Sequence, residues 1–166
     1  MNILIHPNEI LRKKCTPVEE ISNELVLTAY EMMKLMKASG GIGLAAPQVG
    51  ISERFFVMDT TEQIVNGEVV PNPDGFKGIL FNPYISARGL NVMPYVEGCL
   101  SFPKAQQPTC RASFIEVQYV DEYKKIQKVK LHGISAICAA HEIDHLNGVL
   151  FIDYNQTGSK KRGKRK

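Results

Sequence analysis

Residues His141 to Gly148 read HEIDHLNG. Two imidazoles stand four positions apart, with a carboxylate beside the first. On a helix their Cα atoms are separated by about 6 Å along the axis, so one nitrogen from each ring can converge on a single ion. Glu142 is turned by about 100° from His141 around the helix. Its carboxylate can therefore reach a metal-held water without acting as a ligand. Two ligands and a general base are the parts of a metal-dependent hydrolytic site. The competing reading is a pair of hydrogen-bonded core histidines, because His141 and His145 share a helical face with Ile134, Ile137 and Cys138.

A catalytic site of this kind needs a third protein ligand. A continuation HExxHxxGxxH would put a histidine at position 151, where Phe151 stands. Asp153 is the sole acid after His145 and lies too close to the helix end to come from another helix. The ligand must therefore come from upstream. Cys138 lies seven positions before His145, about 10.5 Å along the axis, so it is expected to form a wall and not a ligand. Cys15, within LRKKCTPVEE, is expected to be exposed. Cys99 follows Glu97-Gly98, and glycine allows close backbone approach. The residues by themselves leave Cys99 and Cys110 both open.

The elements that must hold these groups follow from periodicity. Leu25, Ala29, Met32, Met33 and Met36 recur at helical spacing, with Ser22 or Asn23 as cap and Gly40-Gly41 as stop. RFFVMDT and GILFNPYI predict strands. SFIEVQYVDEYKKIQKVKLHG predicts two strands around the polar turn Asp121–Lys125. The stretch from Thr60 to Gly78 is turn-rich and predicts a loop or irregular hairpin. Asn147-Gly148 ends the HExxH helix, and VLFIDY is expected to continue extended. Strands and helices segregate, which predicts an α+β fold.

A chain of 166 residues with 44% hydrophobic content suits one domain with a real core. No apolar run approaches the roughly 20 residues of a membrane span, and the start lacks a signal-peptide pattern. A cytoplasmic location is expected. Four cysteines in such a setting predict free thiols or a metal ligand, not disulfides. The formal charge of +3 conceals a division: six basic residues lie in Ser159–Lys166, which leaves the remainder at −3. The expected organisation is one catalytic domain over residues 1–158 and a disordered basic tail over 159–166. That tail reads either as a solubilising end or as a contact with RNA phosphates.

GIGLAAPQ (Gly41–Gln48), EGCLS (Glu97–Ser101) and HEIDHLNG, in this order and spacing, resemble the signature set of the peptide deformylases. The similarity extends to HPNEILRKKCTPV and GVLFIDY and covers nearly the whole chain before the tail. The resemblance implies antiparallel sheets wrapped around a central HExxH-bearing helix, with an N-terminal helix packed outside. It implies Cys99, His141 and His145 as ligands of one divalent metal, commonly Fe²⁺, with Zn²⁺, Ni²⁺ or Co²⁺ able to occupy the site. It also implies removal of the formyl group from the N-terminal formyl-methionine of new polypeptides. Glu142 would move the proton, while the Gln48 side chain and the Leu100 backbone N–H would stabilise the oxyanion.

Gly43 would pair with a peptide backbone, and Ile42, Ile134, Ile137 and Cys138 would line the methionine pocket, with Glu97 and Gly98 beside the substrate. Tyr95 is a further candidate. Many bacterial members carry an arginine soon after EGCLS where Gln106 stands here, which raises the question of how residues beyond methionine are held. Arg111 matches another family arginine and is assigned a structural role. The basic tail stands where many members have a long C-terminal helix, and a weak ribosomal RNA contact is expected of it. No membrane partner is expected. The rivals are an HExxH zinc endopeptidase, a small metal-stabilised RNA-binding module in which Glu142 has no chemical duty, and a deformylase-like chain without activity.

Overall fold

The computed structural model describes residues 1–154; the expected basic tail, 159–166, lies outside them. Two α-helices and antiparallel sheets form a mixed α+β fold. Helix α1 spans Asn23–Ala38, capped by the Ser22 hydroxyl on the Leu25 N–H and closed at Ser39. Strands β1 (Gly43–Ala45), β2 (Phe55–Asp59), β5 (Lys77–Arg88), β8 (Phe114–Val120) and β9 (Ile126–His132) form one antiparallel sheet in the order β1-β2-β5-β8-β9. Two hairpins stand beside it: β3 (Glu62–Val65) with β4 (Glu68–Pro71), and β6 (Val92–Cys99) with β7 (Phe102–Ala112). Helix α2 spans Gly133–Leu146 and carries the HExxH residues.

The alternation of β2 explains the layering. Every residue of Phe55–Asp59 is buried, as expected of a strand covered on both faces. Phe55 and Val57 join Ala29, Met32 and Met36 of α1, whereas Phe56 and Met58 join Ala136, Ala139, Ile143 and Leu146 of α2. The sheet therefore lies between the helices. Each fully buried Phe or Met side chain contributes about 1.5–3 kcal/mol, so both cores lean on the same strand. Among the described residues, no helix is long and apolar enough to cross a membrane.

Two expectations need correction. Cys15 is buried, not exposed: its backbone N–H donates to the Leu146 carbonyl at 2.9 Å and its side chain joins the α2 core. The lysines before it face solvent while the thiol packs inward, and burial, partly opposed by Arg54, pushes its pKa up to about 11. VLFIDY does not stay extended, because Phe151–Asp153 is a 3₁₀ turn in which Asp153 accepts from the Leu150 N–H at 2.9 Å. Residues 92–112 form a long hairpin that alternation does not reveal, since Pro94, Pro103 and Pro108 interrupt the pattern. The Thr60–Gly78 stretch takes the hairpin alternative, with Asn66-Gly67 at its turn, both at positive φ.

Candidate metal centre

Two elements supply the donors. Helix α2 is buried along its length from Ser135 to Ala139 and from His141 to Leu146, which fixes the His141 and His145 rings 4.9 Å apart between centroids. Cys99 arrives from the last residue of β6. Its Sγ lies 3.2 Å from His145 Nε2, and one ligand atom from each of Cys99, His141 and His145 falls within 4.8 Å of the others.

A buried network stands behind these groups. His141 Nδ1 and Glu97 Oε2 are 2.7 Å apart, which leaves Nε2 of that ring to face the donor cluster. Arg111 grips Glu97 through Nε at 2.6 Å and Nη2 at 2.8 Å, and reaches Asp144 Oδ2 at 2.5 Å. Thr109 also donates to Glu97, and the Tyr154 hydroxyl lies 2.7 Å from Asp144. Burial pushes the Glu97 carboxyl up, but the bonds from Arg111 and His141 outweigh it and hold the group well below the usual carboxylate range. Such outer partners orient a ligating imidazole and fix its tautomer.

The donor set fits a divalent ion. A thiol and two imidazoles match the preferences of Zn²⁺ and Fe²⁺. Among the described residues His145 Nδ1 and Glu142 Oε2 are buried without a hydrogen-bond partner. The Glu142 carboxyl is pushed up to about 7 by burial, in the range suited to moving a proton near neutral pH.

A cavity of about 770 Å³ opens onto this point. Ile42, Gly43, Gln48, Tyr95, Glu97, Gly98, Cys99, Leu100, Ile134, Ile137, Cys138, His141 and Glu142 all line it, so of the residues expected to act on metal or substrate only His145 lies off the lining, buried deeper. Glu97 lines it too, yet its carboxylate is engaged by Arg111, Thr109 and His141. Gly43 belongs to β1, which is the edge strand of its sheet among the described residues. A Cβ there would collide with the Glu142 carboxylate and come within 2.7 Å of Cys138 Sγ.

Gln48 is buried in the 3₁₀ turn Ala46–Val49. Its Oε1 accepts from the Ala45 N–H at 2.8 Å, so Nε2 must face Ser101 Oγ at 3.1 Å and Cys99 Sγ at 3.5 Å. The leading segment ties the two loops together: Leu4 N–H donates to the Gln48 carbonyl at 2.7 Å, and His6 N–H to the Ser101 carbonyl at 3.0 Å. Ser101, Asp144 and Tyr154 lie within the quoted motifs, but the sequence assigns none of them a role. A serine after Leu100 and an acid within a helix carry no spacing signal until the hairpin folds over α2.

Fold and site together define the class: a small α+β hydrolase with a Cys/His/His group that could hold a metal ion at the end of an open cleft. The chain belongs to the polypeptide deformylase family, whose family model matches residues 1–161. A peptide deformylase from Picosynechococcus is 39% identical over 146 residues, covering 88% of this chain and 74% of the relative. The crystal structure of a peptide deformylase from Synechococcus elongatus in complex with actinonin has a TM-score of 0.81 at 34% identity, covering 98% of this chain and 82% of that one. The peptide deformylase of Thermotoga maritima has a TM-score of 0.78 at 37% identity, covering 92% and 95%.

Proposed function

We propose that this chain is a peptide deformylase that hydrolyses the formyl group from the N-terminal formyl-methionine of newly made polypeptides, in the cytoplasm. In this reading α2 is the central scaffold, and Cys99, His141 and His145 hold one divalent ion, Fe²⁺ in the cell. The observation that carries it is the convergence of those three donors within 4.8 Å at the end of a cleft that Glu142 also lines. When bound, the ion supplies Lewis acidity toward water and the formyl carbonyl.

The chain's own residues do the rest. The formyl-methionyl backbone adds as a strand to the outer edge of β1 at Gly43, and Ile42, Ile134, Ile137 and Cys138 receive the methionine side chain. Glu142 accepts a proton at Oε2 and returns it to the departing amine. Gln48 Nε2 and the Leu100 N–H donate to the oxygen on which charge develops, each worth roughly 3–4 kcal/mol. The hold of Ala45 on Gln48 Oε1 orients that amide before substrate arrives.

The test is formate release from a formyl-Met peptide by the metal-loaded chain, with an unformylated internal peptide as control. Cleavage of the internal peptide without formate release would favour the endopeptidase instead. The Ser159–Lys166 run is read as a weak contact with ribosomal RNA. Its deletion should weaken salt-sensitive ribosome binding, and unchanged binding removes that part of the reading.

A further inference from the structure

The β6–β7 ladder breaks beside Cys99. Its register passes from Gly98 opposite Gln106 to Cys99 opposite Phe102, so Pro103, Lys104 and Ala105 have no partners on β6. Bulges re-aim side chains and recur next to active sites. All three bulged residues line the cavity. Lys104 is exposed and, among the described residues, is the only lysine or arginine along that lining.

The remaining charges of the cleft are withdrawn from its mouth. Glu97 and Glu142 are buried, and Glu97 is held by Arg111. Among the described residues Lys104 takes part in no ion pair, and Gln106 on the same strand is a neutral amide. Among the described residues, the mouth of the cleft therefore presents one unopposed positive charge, that of Lys104.

We propose that Lys104 is a specificity-determining residue that selects peptides carrying a carboxylate downstream of the formyl-methionine, either an acidic side chain or the end of a short peptide. This rests on the deformylase reading above. The long flexible stem of lysine tolerates some variation in the position of that carboxylate. The pair stays solvated, so the selection is modest and salt-sensitive.

The test compares kcat/KM of the metal-loaded enzyme for formyl-Met-Ala-Ser, formyl-Met-Ala-Glu and formyl-Met-Ala-Lys, each as C-terminal amide and as free acid. The expected order is Glu over Ser over Lys, with a Glu-to-Lys ratio of about 2–5 at low salt, as for exposed ion pairs, that narrows at high salt. The ratio should reside in KM and not in kcat. Lys104→Met should bring it to unity, Lys104→Glu should invert it, and Lys104→Arg should restore it. Comparing amides with free acids tells whether the side chain or the peptide end is read. A ratio that Lys104→Glu leaves unchanged, or an equal slowing of every peptide, overturns the proposal while leaving deformylation standing. No formate from any peptide overturns both.

Discussion

Helix α2 and the β6–β7 hairpin meet at one site but are built differently. Helix α2 is buried between Ser135 and Leu146 except at Ala140, and packs against the sheet through Ala136, Ala139, Ile143 and Leu146. The hairpin is a two-stranded ribbon that leaves Val92, Tyr95 and Val96 in solvent and buries chiefly Glu97, Ser101, Thr109 and Arg111. The helix is positioned by apolar packing, the ribbon by a buried polar clasp. Two strands alone are marginal in water, so the clasp from Arg111 to Glu97 and Asp144 sets where Cys99 stands relative to the two imidazoles.

The sharpest break leaves both regions in place and removes the proton carrier between them. Glu142→Gln should bind metal as the parent does, by elemental analysis, while formate release falls by roughly 10²–10⁴. Cys99→Ala should instead lose metal under the same wash. Parent-like turnover in Glu142→Gln would remove Glu142 from the chemistry.

Next comes the clasp. Arg111→Met removes the guanidinium from two buried carboxylates, Glu97 and Asp144, and should cost about 3–5 kcal/mol in urea unfolding. Double replacement, Arg111→Met with Glu97→Gln, should recover part of that loss. A cost no larger than that of a surface substitution would mean that packing alone holds the hairpin.

Gln48→Ala lies between the two regions and should lower kcat by roughly 10²–10³ with little change in KM. A rise in KM alone would make Gln48 a ground-state contact.

The smallest effect lies away from the site and serves as a control on the helical side. Burial raises the Asp59 carboxyl, and bonds from Lys37 and Thr61 outweigh it, bringing its pKa from 3.8 to about 2. Folding thus favours the ionised form. The contribution is complete above the ordinary value and is lost as pH falls through the folded one. The stability gap between parent and Asp59→Asn, of order 1 kcal/mol, should close between about pH 5 and pH 2. A constant gap across that window would show that Asp59 acts through packing alone.

The same contrast explains what the sequence made legible. Helical spacing exposed α2 and its histidines, and the Met32–Met36 stripe exposed α1, because apolar packing leaves a periodic trace. A polar clasp leaves none. Arg111 stands out only through the family resemblance, its partners Asp144 and Tyr154 lie far from it in the chain, and Ser101 becomes notable only opposite Gln48. Cys99 could be preferred over Cys110 only through the EGCLS resemblance, since residue types left the two open. Cys15 failed because flanking lysines suggested solvent, while the chain there turns its thiol toward Leu146.

The short leader that bonds to Gln48 at Leu4 and to Ser101 at His6 makes no contribution to the donor set, yet it splints the two loops that frame it. Fraying at that end would let the amide of one loop drift from the thiol of the other. Turnover would then decline in a protein whose ligands and proton carrier were all still present.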